Sequence, residues 1–271
     1  TMQSDLSAAY TLSHGDTKHV VLLPATPEEC FEFGQICFDL AEQLQTLVVV
    51  LSDLDLGMNF WISDQFTPPQ STFQRGKILN AKDLEKLNTT LARYKDVDAD
   101  GICYRTLPGT PHPHAAYFTR GTGHDESARY SEDHTNYRKL LTRLARKYET
   151  AKKYVPKPEV HIQPTAQFGV IFYGSSAPAV MECQKQFVKK SIPFSTLRIR
   201  ALPLTTEVEE FVNKSETIYV VGQNRDGQLR DIICSDFPVH AKKLKSINQY
   251  DGLPLEADFV TRSLIEQGAQ L

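Results

Sequence analysis

The sequence lacks a marked excess of charge and lacks long apolar runs. Among its 271 residues, 30 Lys and Arg stand against 33 Asp and Glu, so the formal net charge is only -3. Without a basic excess, the electrostatic argument for a nucleic-acid partner or an anionic membrane surface is missing. The longest apolar run, around residues 47–51, is far shorter than the roughly 18 residues that a membrane-spanning helix needs. We therefore expect neither partner.

Cysteine is also scarce. The five cysteines are an odd number, and no two of them form a Cys-x-x-Cys pair. This pattern argues against a disulfide framework and against a zinc or iron–sulfur site held by this chain alone. We expect free thiols and, because reduced thiols persist there, a cytoplasmic location.

Residues 20–52 have the pattern of a strand, a helix and a second strand. The apolar residues from Val20 lead to Thr26 and Pro27, which are typical of a helix N-cap and its first turn. The continuous apolar run 47–51 predicts a strand covered on both faces. This βαβ unit predicts a parallel sheet, and the loop after residue 51 lies where such sheets bind ligands.

The middle of the chain has a different character. Residues 57–135 are rich in proline, glycine and histidine and show little periodicity, which predicts long loops. Residues 136–153 then predict a helix whose Lys and Arg side chains form a solvated face. From residue 168 onward, strand and helix alternate to about residue 234, which predicts parallel strands with helices on both faces. We expect units at 1–60, 61–157 and 158–271, the middle one a connecting region.

Several motifs leave alternatives open. Asp96, Asp98 and Asp100 have the spacing of the start of a calcium loop, but Leu107 replaces the glutamate at its twelfth position. A bound cation and a solvated acidic turn both stay open. The turn at residues 174–176 presents either backbone N–H groups to an anion or a plain tight turn. His124 is either a general acid or base or a hydrogen-bonded structural residue.

Seven short segments resemble one family in the same order. They are Thr-Met-Gln-Ser-Asp-Leu (1–6), His-Gly-Asp (14–16), Pro-Ala-Thr-Pro-Glu-Glu-Cys-Phe (24–31), Leu-Ser-Asp-Leu-Asp-Leu-Gly-Met-Asn (51–59), Tyr-Arg-Thr-Leu-Pro-Gly-Thr (104–110), Arg-Gly-Thr-Gly-His-Asp-Glu (120–126) and Gln-Asn-Arg-Asp-Gly-Gln-Leu (223–229). Together they resemble the C-terminal part of the α subunit of 2-oxoacid:ferredoxin oxidoreductases. The resemblance implies an α/β fold: the second half of a thiamine-diphosphate pyrimidine-type domain, then a transketolase C-terminal-like parallel α/β domain.

The resemblance also implies a function within a complex. Such enzymes decarboxylate a 2-oxoacid oxidatively to acyl-CoA and CO2 with reduction of ferredoxin, or run the reverse reaction; the long connecting region resembles the 2-oxoglutarate subgroup. Thiamine diphosphate and Mg²⁺ are expected at the interface with a β subunit that carries the iron–sulfur cluster, with coenzyme A as co-substrate. The expected partners are this β subunit, ferredoxin and the N-terminal part of the same α subunit. The alternative is a non-catalytic docking module.

Site residues follow from the same resemblance. Thr1, Gln3, Ser4 and Asp5 resemble the edge of the substrate loop, and a cap at Ser4 is the alternative. We expect that cleavage of a longer subunit produces the end at Thr1. Ser52, Asp53 and Asn59 lie on the expected cofactor side, or serve as turn hydrogen-bonding residues. Asn224 and Arg225, with Gln228, either contact coenzyme A or pack against another segment.

Overall fold

The chain forms two β-sheets that share one extended segment. The computed structural model describes residues 3–13, 15–68, 72–87 and 90–269. In this part of the chain the helices are α1 (Leu6–Thr11), α2 (Pro27–Leu44), α3 (Leu54–Met58), α4 (Ala81–Leu87), α5 (His134–Ala151), α6 (Ala177–Lys189), α7 (Thr206–Lys214), α8 (Gln228–Asp236) and α9 (Ala257–Glu266). The strands are β1 (Val20–Leu22), β2 (Val48–Val50), β3 (Glu159–His161), β4 (Gly169–Tyr173), β5 (Ser195–Ile199), β6 (Ala201–Leu202), β7 (Ile218–Gly222) and β8 (Leu244–Asn248).

The first βαβ unit begins its helix as the sequence predicts. The side chain of Thr26 accepts a hydrogen bond from the backbone N–H of Glu29, and Pro27 occupies the first turn of α2. The helix ends at Gln45, whose φ of 51° is left-handed and therefore terminates the helical hydrogen-bond pattern. The predicted strand, helix and strand are confirmed.

The smaller sheet has the order β2-β1-β6. β1 and β2 are parallel, whereas β6 joins β1 in the antiparallel direction. The prediction that β2 is covered on both faces is wrong, because Val50 is 39% exposed and Val48 and Val49 are only partly buried. Within the described residues β2 is the edge strand, so a continuous apolar run here does not mark a buried centre.

The larger sheet has the order β3-β5-β4-β7-β8. Its last four strands are parallel, as predicted, and β3 is an antiparallel edge strand that the sequence pattern did not reveal. Alternate residues of β4 enter different cores: Ile171 packs on the side of α1, α7 and α8, and Phe172 on the side of α6 and α9. Helices therefore cover both faces, which confirms that part of the prediction.

One extended segment links the two sheets. β5 ends at Ile199, and after Arg200 the chain enters β6, which belongs to the smaller sheet. The boundary at residue 158 stays a prediction, but a strand from beyond it completes the sheet of the first unit. The two units therefore share backbone hydrogen bonds as well as side-chain contacts.

A buried group of charges joins α2 to this segment. Both carboxylate oxygens of Glu29 accept hydrogen bonds from the guanidinium of Arg198, at 2.7 Å each. Arg200 Nε donates to the same carboxylate at 2.8 Å, and Arg198 also pairs with Glu159 on β3. We call these four residues the charge bridge. Burial raises the pKa of Glu29, but hydrogen bonds and charge from Arg198 outweigh it and hold the pKa below its usual value.

The long helix α5 differs from its prediction on one face. Asp133 caps its start through two backbone N–H groups, consistent with the predicted beginning. The predicted solvated basic face is wrong for Arg143 and Lys147, which turn toward a neighbouring loop and the end of α2. That loop lies so close that a Cβ on Gly101 would stand 2.3 Å from the backbone N of Lys147. Close packing therefore takes these side chains out of the solvent.

The remaining elements carry little sequence signal. β8 and α9 lie beyond the last segment for which the pattern made an assignment, and they complete the far side of the larger sheet. No helix in the described part of the chain combines the length and apolarity that a bilayer crossing requires.

Candidate functional site

Three strand ends from the two sheets meet at one place. Asp53 follows β2, Ser175 follows β4, and Gln223 and Asn224 follow β7. Carboxyl ends of strands are the usual ligand side of α/β sheets. The N-terminal segment enters between them through Gln3, and we call these five residues the junction cluster.

Asp53 is the acceptor at the centre of the cluster. Its Oδ2 accepts from Gln3 Nε2 at 3.0 Å and from Ser175 Oγ at 2.5 Å, and its Oδ1 accepts from the backbone N of Leu56. The last contact caps α3, so the turn-bonding alternative describes part of its role. The other oxygen connects three segments that are far apart in sequence.

Gln223 completes the network from the other sheet. Its Nε2 donates to Ser175 Oγ at 3.0 Å and to Ser176 Oγ at 3.3 Å, and its backbone carbonyl accepts from the N–H of Gln3 at 2.8 Å. The Oε1 atoms of Gln3 and Gln223 are buried, and neither has a donor among the described residues. Both are free to accept one further hydrogen bond.

Asn224 and Gln228 hold the N-terminal segment in place. Asn224 Nδ2 donates to the carbonyl of Gln3 at 3.2 Å, and its Oδ1 accepts from the backbone N of Gln228. Gln228 Nε2 in turn donates to the carbonyl of Ser4 at 2.6 Å. Because Asn224 is buried and both of its polar atoms are engaged, the geometry favours packing over a ligand contact for this residue.

Tyr173 adds a buried hydroxyl to the cluster. It donates to the carbonyl of Gln3 at 3.2 Å. Burial raises the pKa of Tyr173, and the negative charge of Asp53 raises it further. The hydroxyl therefore stays protonated at neutral pH and acts as a donor.

The turn that follows β4 faces a negative charge that belongs to the chain itself, the carboxylate of Asp53. Gly174 has a φ of 57°, which is strained for a residue with a side chain, and a Cβ there would lie 2.8 Å from Gln3 Nε2 and displace that amide group. The backbone N–H of Ser175 points at Asp53 Oδ2 at 3.4 Å. The anion-presenting turn and the tight turn are thus the same structure, and the anion is the carboxylate of Asp53.

The space inside the cluster is small. A cavity of about 20 Å³ lies beside Gln3, Ser52 and Asp53. A volume of that size holds about one water molecule. The junction cluster therefore forms a braced contact between segments and does not enclose a substrate-sized cavity.

Other predicted site residues lie at its edge or outside it. Ser4, Asp5 and Ser52 are exposed beside the cavity. The cap at Ser4 is wrong, because Asp5 occupies the N-cap position of α1 and makes no side-chain capping bond. Thr1 lies outside the described residues.

Asn59 and Arg225 are exposed and locally bonded. Asn59 hydrogen-bonds the carboxylate of Asp55 one turn earlier. Arg225 pairs with its neighbour Asp226 through two hydrogen bonds of 2.7 and 3.1 Å. Neither side chain enters the junction cluster.

The acidic loop has its counter-charges within the protein. Lys77 Nζ lies 2.6 Å from Asp98 and 2.8 Å from Asp100, and Asp96 pairs with Arg146 at 2.5 Å. Among the described residues, no group of three or more His, Cys, Asp and Glu could hold a metal ion. An ammonium group stands where the cation would have to bind, so the geometry favours the acidic turn over a calcium site.

His124 has a structural environment. Its ring stacks on Tyr94 with centroids 3.9 Å apart, and Nδ1 lies 2.9 Å from the carbonyl of Asp125. The hydrogen-bonded alternative therefore fits the geometry. Sequence reasoning missed Tyr173 and Gln223 as members of the site and singled out Ser175 only as part of the turn at residues 174–176. Each stands at or just after the end of a parallel strand, which was the available signal.

The class of protein follows from this architecture. A half-domain with a parallel βαβ unit is joined to a parallel α/β domain covered on both faces, which confirms the predicted fold class. Over 98% of the chain it matches a structure described as 2-oxoglutarate:ferredoxin oxidoreductase from Magnetococcus marinus with 2-oxoglutarate, coenzyme A and succinyl-CoA bound. The TM-score is 0.83 at 22% identity, and the match covers 45% of that chain.

Curated relatives match most or all of the chain. It is 26% identical over 280 residues to 2-oxoacid:ferredoxin oxidoreductase 2, subunit alpha, of Aeropyrum pernix, a match that covers 100% of this chain and 42% of the relative. It is 27% identical over 230 residues to 2-oxoglutarate synthase subunit KorA of Methanothermobacter marburgensis, covering 82% and 57%. No protein-family model matches the chain.

These similarities confirm the resemblance that the short sequence motifs carry. The chain is similar to part of the α subunit of 2-oxoacid:ferredoxin oxidoreductases, and it spans less than half of the length of the Aeropyrum relative.

Proposed function

We propose that this chain is the C-terminal part of the α subunit of a thiamine diphosphate-dependent 2-oxoacid:ferredoxin oxidoreductase. The complex oxidatively decarboxylates a 2-oxoacid, preferably 2-oxoglutarate, to acyl-CoA and CO2 and reduces ferredoxin, or catalyses the reverse reaction. The preference for 2-oxoglutarate is supported by the similarity to the 2-oxoglutarate synthase subunit KorA and to the Magnetococcus 2-oxoglutarate:ferredoxin oxidoreductase. The complex works in the cytoplasm, a location that the five free cysteines support.

The junction cluster is the observation that carries the proposal. Segments that resemble the substrate-loop edge, the cofactor side and the C-terminal Asn-x-x-x-Gln-Leu motif are far apart in sequence. Gln3, Asp53 and Asn224 nevertheless meet in one hydrogen-bonded network at the strand ends. A resemblance that is only local would give no reason for these segments to converge.

The cofactors do not fit within the junction cluster. The cavity of the junction cluster admits about one water molecule, and no metal-binding group is present among the described residues. We therefore assign thiamine diphosphate, Mg²⁺ and the iron–sulfur cluster to the β subunit side. Gln3, Ser4, Asp5, Ser52 and Asp53 then act as positioning residues that form the wall facing that cofactor.

The exposed residues receive separate roles. Arg225 projects from the surface next to the junction cluster, and we assign it a contact with a coenzyme A phosphate or with a partner subunit. Asn59 closes the loop after α3 on the cofactor side. Thr1 belongs to the same substrate-loop edge by its place in the sequence.

An apolar groove supports assembly with further polypeptide. Phe31, Phe38, Phe66 and Phe73 line a groove of about 1010 Å³ along α2. Phe38 is 66% exposed and Phe73 is 75% exposed. Apolar patches of this kind mark interfaces. We assign this groove to the N-terminal part of the same α subunit, because α2, which lines the groove, packs on β2, the edge strand of the smaller sheet within the described residues.

The same groove favours the second candidate function. A docking module without a catalytic role needs an apolar surface and a rigid body, and the chain offers both. The two candidates differ in one respect: only the enzyme requires the junction cluster to face a thiamine-binding partner.

Purification of the complex from its native source, followed by intact-mass measurement and assay, tests the proposal. We expect a thiamine-domain chain and a cysteine-rich subunit to accompany the 271-residue chain. The complex should reduce ferredoxin in a coenzyme A-dependent manner with 2-oxoglutarate and more weakly with pyruvate. A complex that assembles but reduces no ferredoxin with any 2-oxoacid would leave only the docking module. A chain that purifies alone would contradict both candidates.

A further inference from the structure

The face of α5 that is turned toward the protein lines a pocket that is separate from the junction cluster. The pocket has a volume of about 400 Å³ and is lined by basic side chains from three segments. Arg93, Arg143 and Lys147 form its basic wall, with Arg120 also in the lining. We call this the cationic pocket.

Neutral acceptors hold the three basic groups in position. Lys147 Nζ donates to the backbone carbonyl of Gln45 at 3.2 Å, and Arg93 Nη2 donates to the side-chain Oε1 of the same residue at 2.6 Å. Arg143 Nη1 donates to the carbonyl of Gly101 at 3.0 Å. Both guanidinium groups also pack over the ring of Tyr94, at 5.2 and 5.9 Å from its centroid.

No carboxylate neutralises these charges. Among the described residues, none of the ion pairs involves Arg93, Arg143 or Lys147. Asp16 lines the pocket but pairs with none of them. The C-terminal end of α2, where Gln45 lies, is equivalent to about half a negative charge, which is far too small to balance three cations.

One donor in the pocket has no acceptor at all. Arg93 Nε is buried and makes no hydrogen bond within the described part of the chain. Burial lowers the pKa of Lys147 to about 8, and the positive charge of Arg143 contributes to the same effect. An unsatisfied donor and mutually repelling cations cost free energy unless an anion binds between them.

We propose that the cationic pocket binds the diphosphate group of a ligand. A single carboxylate would neutralise one of the three charges, whereas a diphosphate carries about three negative charges and several acceptor oxygens. The pocket volume admits such a group with part of a larger molecule attached. This proposal does not depend on the function proposed above.

Calorimetric titration of the full chain with inorganic pyrophosphate at low salt tests the proposal. We expect saturable binding at one site. Lys147→Met and Arg143→Met should each weaken binding about tenfold or more, because each removes a charge-assisted hydrogen-bond donor. Lys153→Met removes an equal charge from an exposed position just beyond α5 and outside the pocket, so it should bind as the wild type does.

Two results would overturn the proposal. One is the absence of saturable binding in the wild type; the other is unchanged affinity in Lys147→Met, which would make the basic groups a brace for the end of α2. Circular dichroism checks that each variant folds. If Lys147→Met does not fold, the affinity of Arg143→Met for pyrophosphate decides whether the basic groups bind the ligand. A parallel titration with ADP identifies the source: tighter binding of ADP indicates a nucleotide diphosphate, and tighter binding of pyrophosphate indicates the free inorganic ion.

Discussion

Two groups of side chains in this protein each bring basic residues close together, but only one of the groups contains carboxylates that neutralise the basic charges. In the charge bridge, Arg198 and Arg200 converge on the carboxylate of Glu29, and Glu159 supplies a second negative charge. In the cationic pocket, Arg93, Arg143 and Lys147 converge with only amide and carbonyl oxygens to receive them. The basic charges of the first group are neutralised by carboxylates of the chain itself, whereas those of the second group have no carboxylate partner among the described residues.

The difference separates a structural role from a binding role. A buried basic group with a matched carboxylate holds two elements together, here α2 and the segment shared by both sheets. A buried basic group without one destabilises the fold until a ligand supplies the negative charge. The junction cluster resembles the charge bridge in this respect, since Asp53 is the charged acceptor for several donors.

The largest effect is expected in the charge bridge. Arg198→Met should reduce the free energy of unfolding by about 3 kcal/mol or more, because it leaves the buried carboxylate of Glu29 with Arg200 and the backbone N–H of Ala25 as its hydrogen-bond donors. Urea denaturation at pH 7 measures this loss. The folded-state pKa of Glu29 is below its unfolded value of 4.5, so the loss should shrink as the pH falls below that value. Arg262→Met, at an exposed position, is the control, and equal effects of the two changes would refute the comparison.

The next effect is expected in the junction cluster. Asp53→Asn keeps the size of the side chain but places a neutral amide against Gln3 Nε2 and Ser175 Oγ. We expect a loss of about 2 kcal/mol, since two buried donors lose a charged acceptor. Thermal unfolding compared with the exposed change Asp64→Asn measures it. A loss no greater than that of the control would mean that the cluster does not hold the N-terminal segment.

The cationic pocket should respond in the opposite direction. Without ligand, Lys147→Met should raise the free energy of unfolding by about 1–2 kcal/mol at pH 7, because it removes a desolvated, unpaired charge. The folded-state pKa of about 8 lies below the unfolded value of 10.5, so the wild type should regain this stability as the pH rises between those values. Denaturation at pH 7 and pH 10 measures the gap, and a variant less stable than the wild type at pH 7 would break the comparison.

The smallest effect on the free energy of unfolding is expected at the N-cap of α2, and it serves as a reference for the larger effects. Thr26→Ala removes the hydroxyl that caps α2 at the backbone N of Glu29, next to the charge bridge but without touching its ion pairs. The expected loss is about 1 kcal/mol, typical of an N-cap. Thr26→Ser restores the acceptor and should restore most of the stability. A loss as large as that of Arg198→Met would show that the cap and the charge bridge are not separable.

The sequence predicted the elements better than the contacts. The start of α2, the strands β1, β4 and β7 and the helices α6 and α7 follow from periodicity and caps, which are local properties. The exposure of β2 was not predictable, because an apolar run does not show whether a strand lies in the centre of a sheet or at its edge. The antiparallel β3 and the two-residue β6 were missed because their pairing is entirely non-local.

The candidate site was predictable in part. Gln3, Asp53 and Asn224 were named from motif resemblance, and the structure brings them together. The same resemblance did not show that Ser175 and Gln223 complete the network, or that Asn59 and Arg225 stay outside it. A motif identifies a segment of the chain, but the hydrogen-bond partners of that segment depend on which other segments the fold places beside it.

By itself the sequence determined the alternation of strands and helices, the overall count of acidic and basic residues and the resemblance to one family. These are properties of neighbouring residues, of composition and of motif order. Only the tertiary structure decided which charges are balanced. Glu29 meets Arg198 across 169 positions, while Lys147 finds no carboxylate partner within the described residues. Charge balance is a matter of distances in space, and a count of Lys and Arg against Asp and Glu does not contain them.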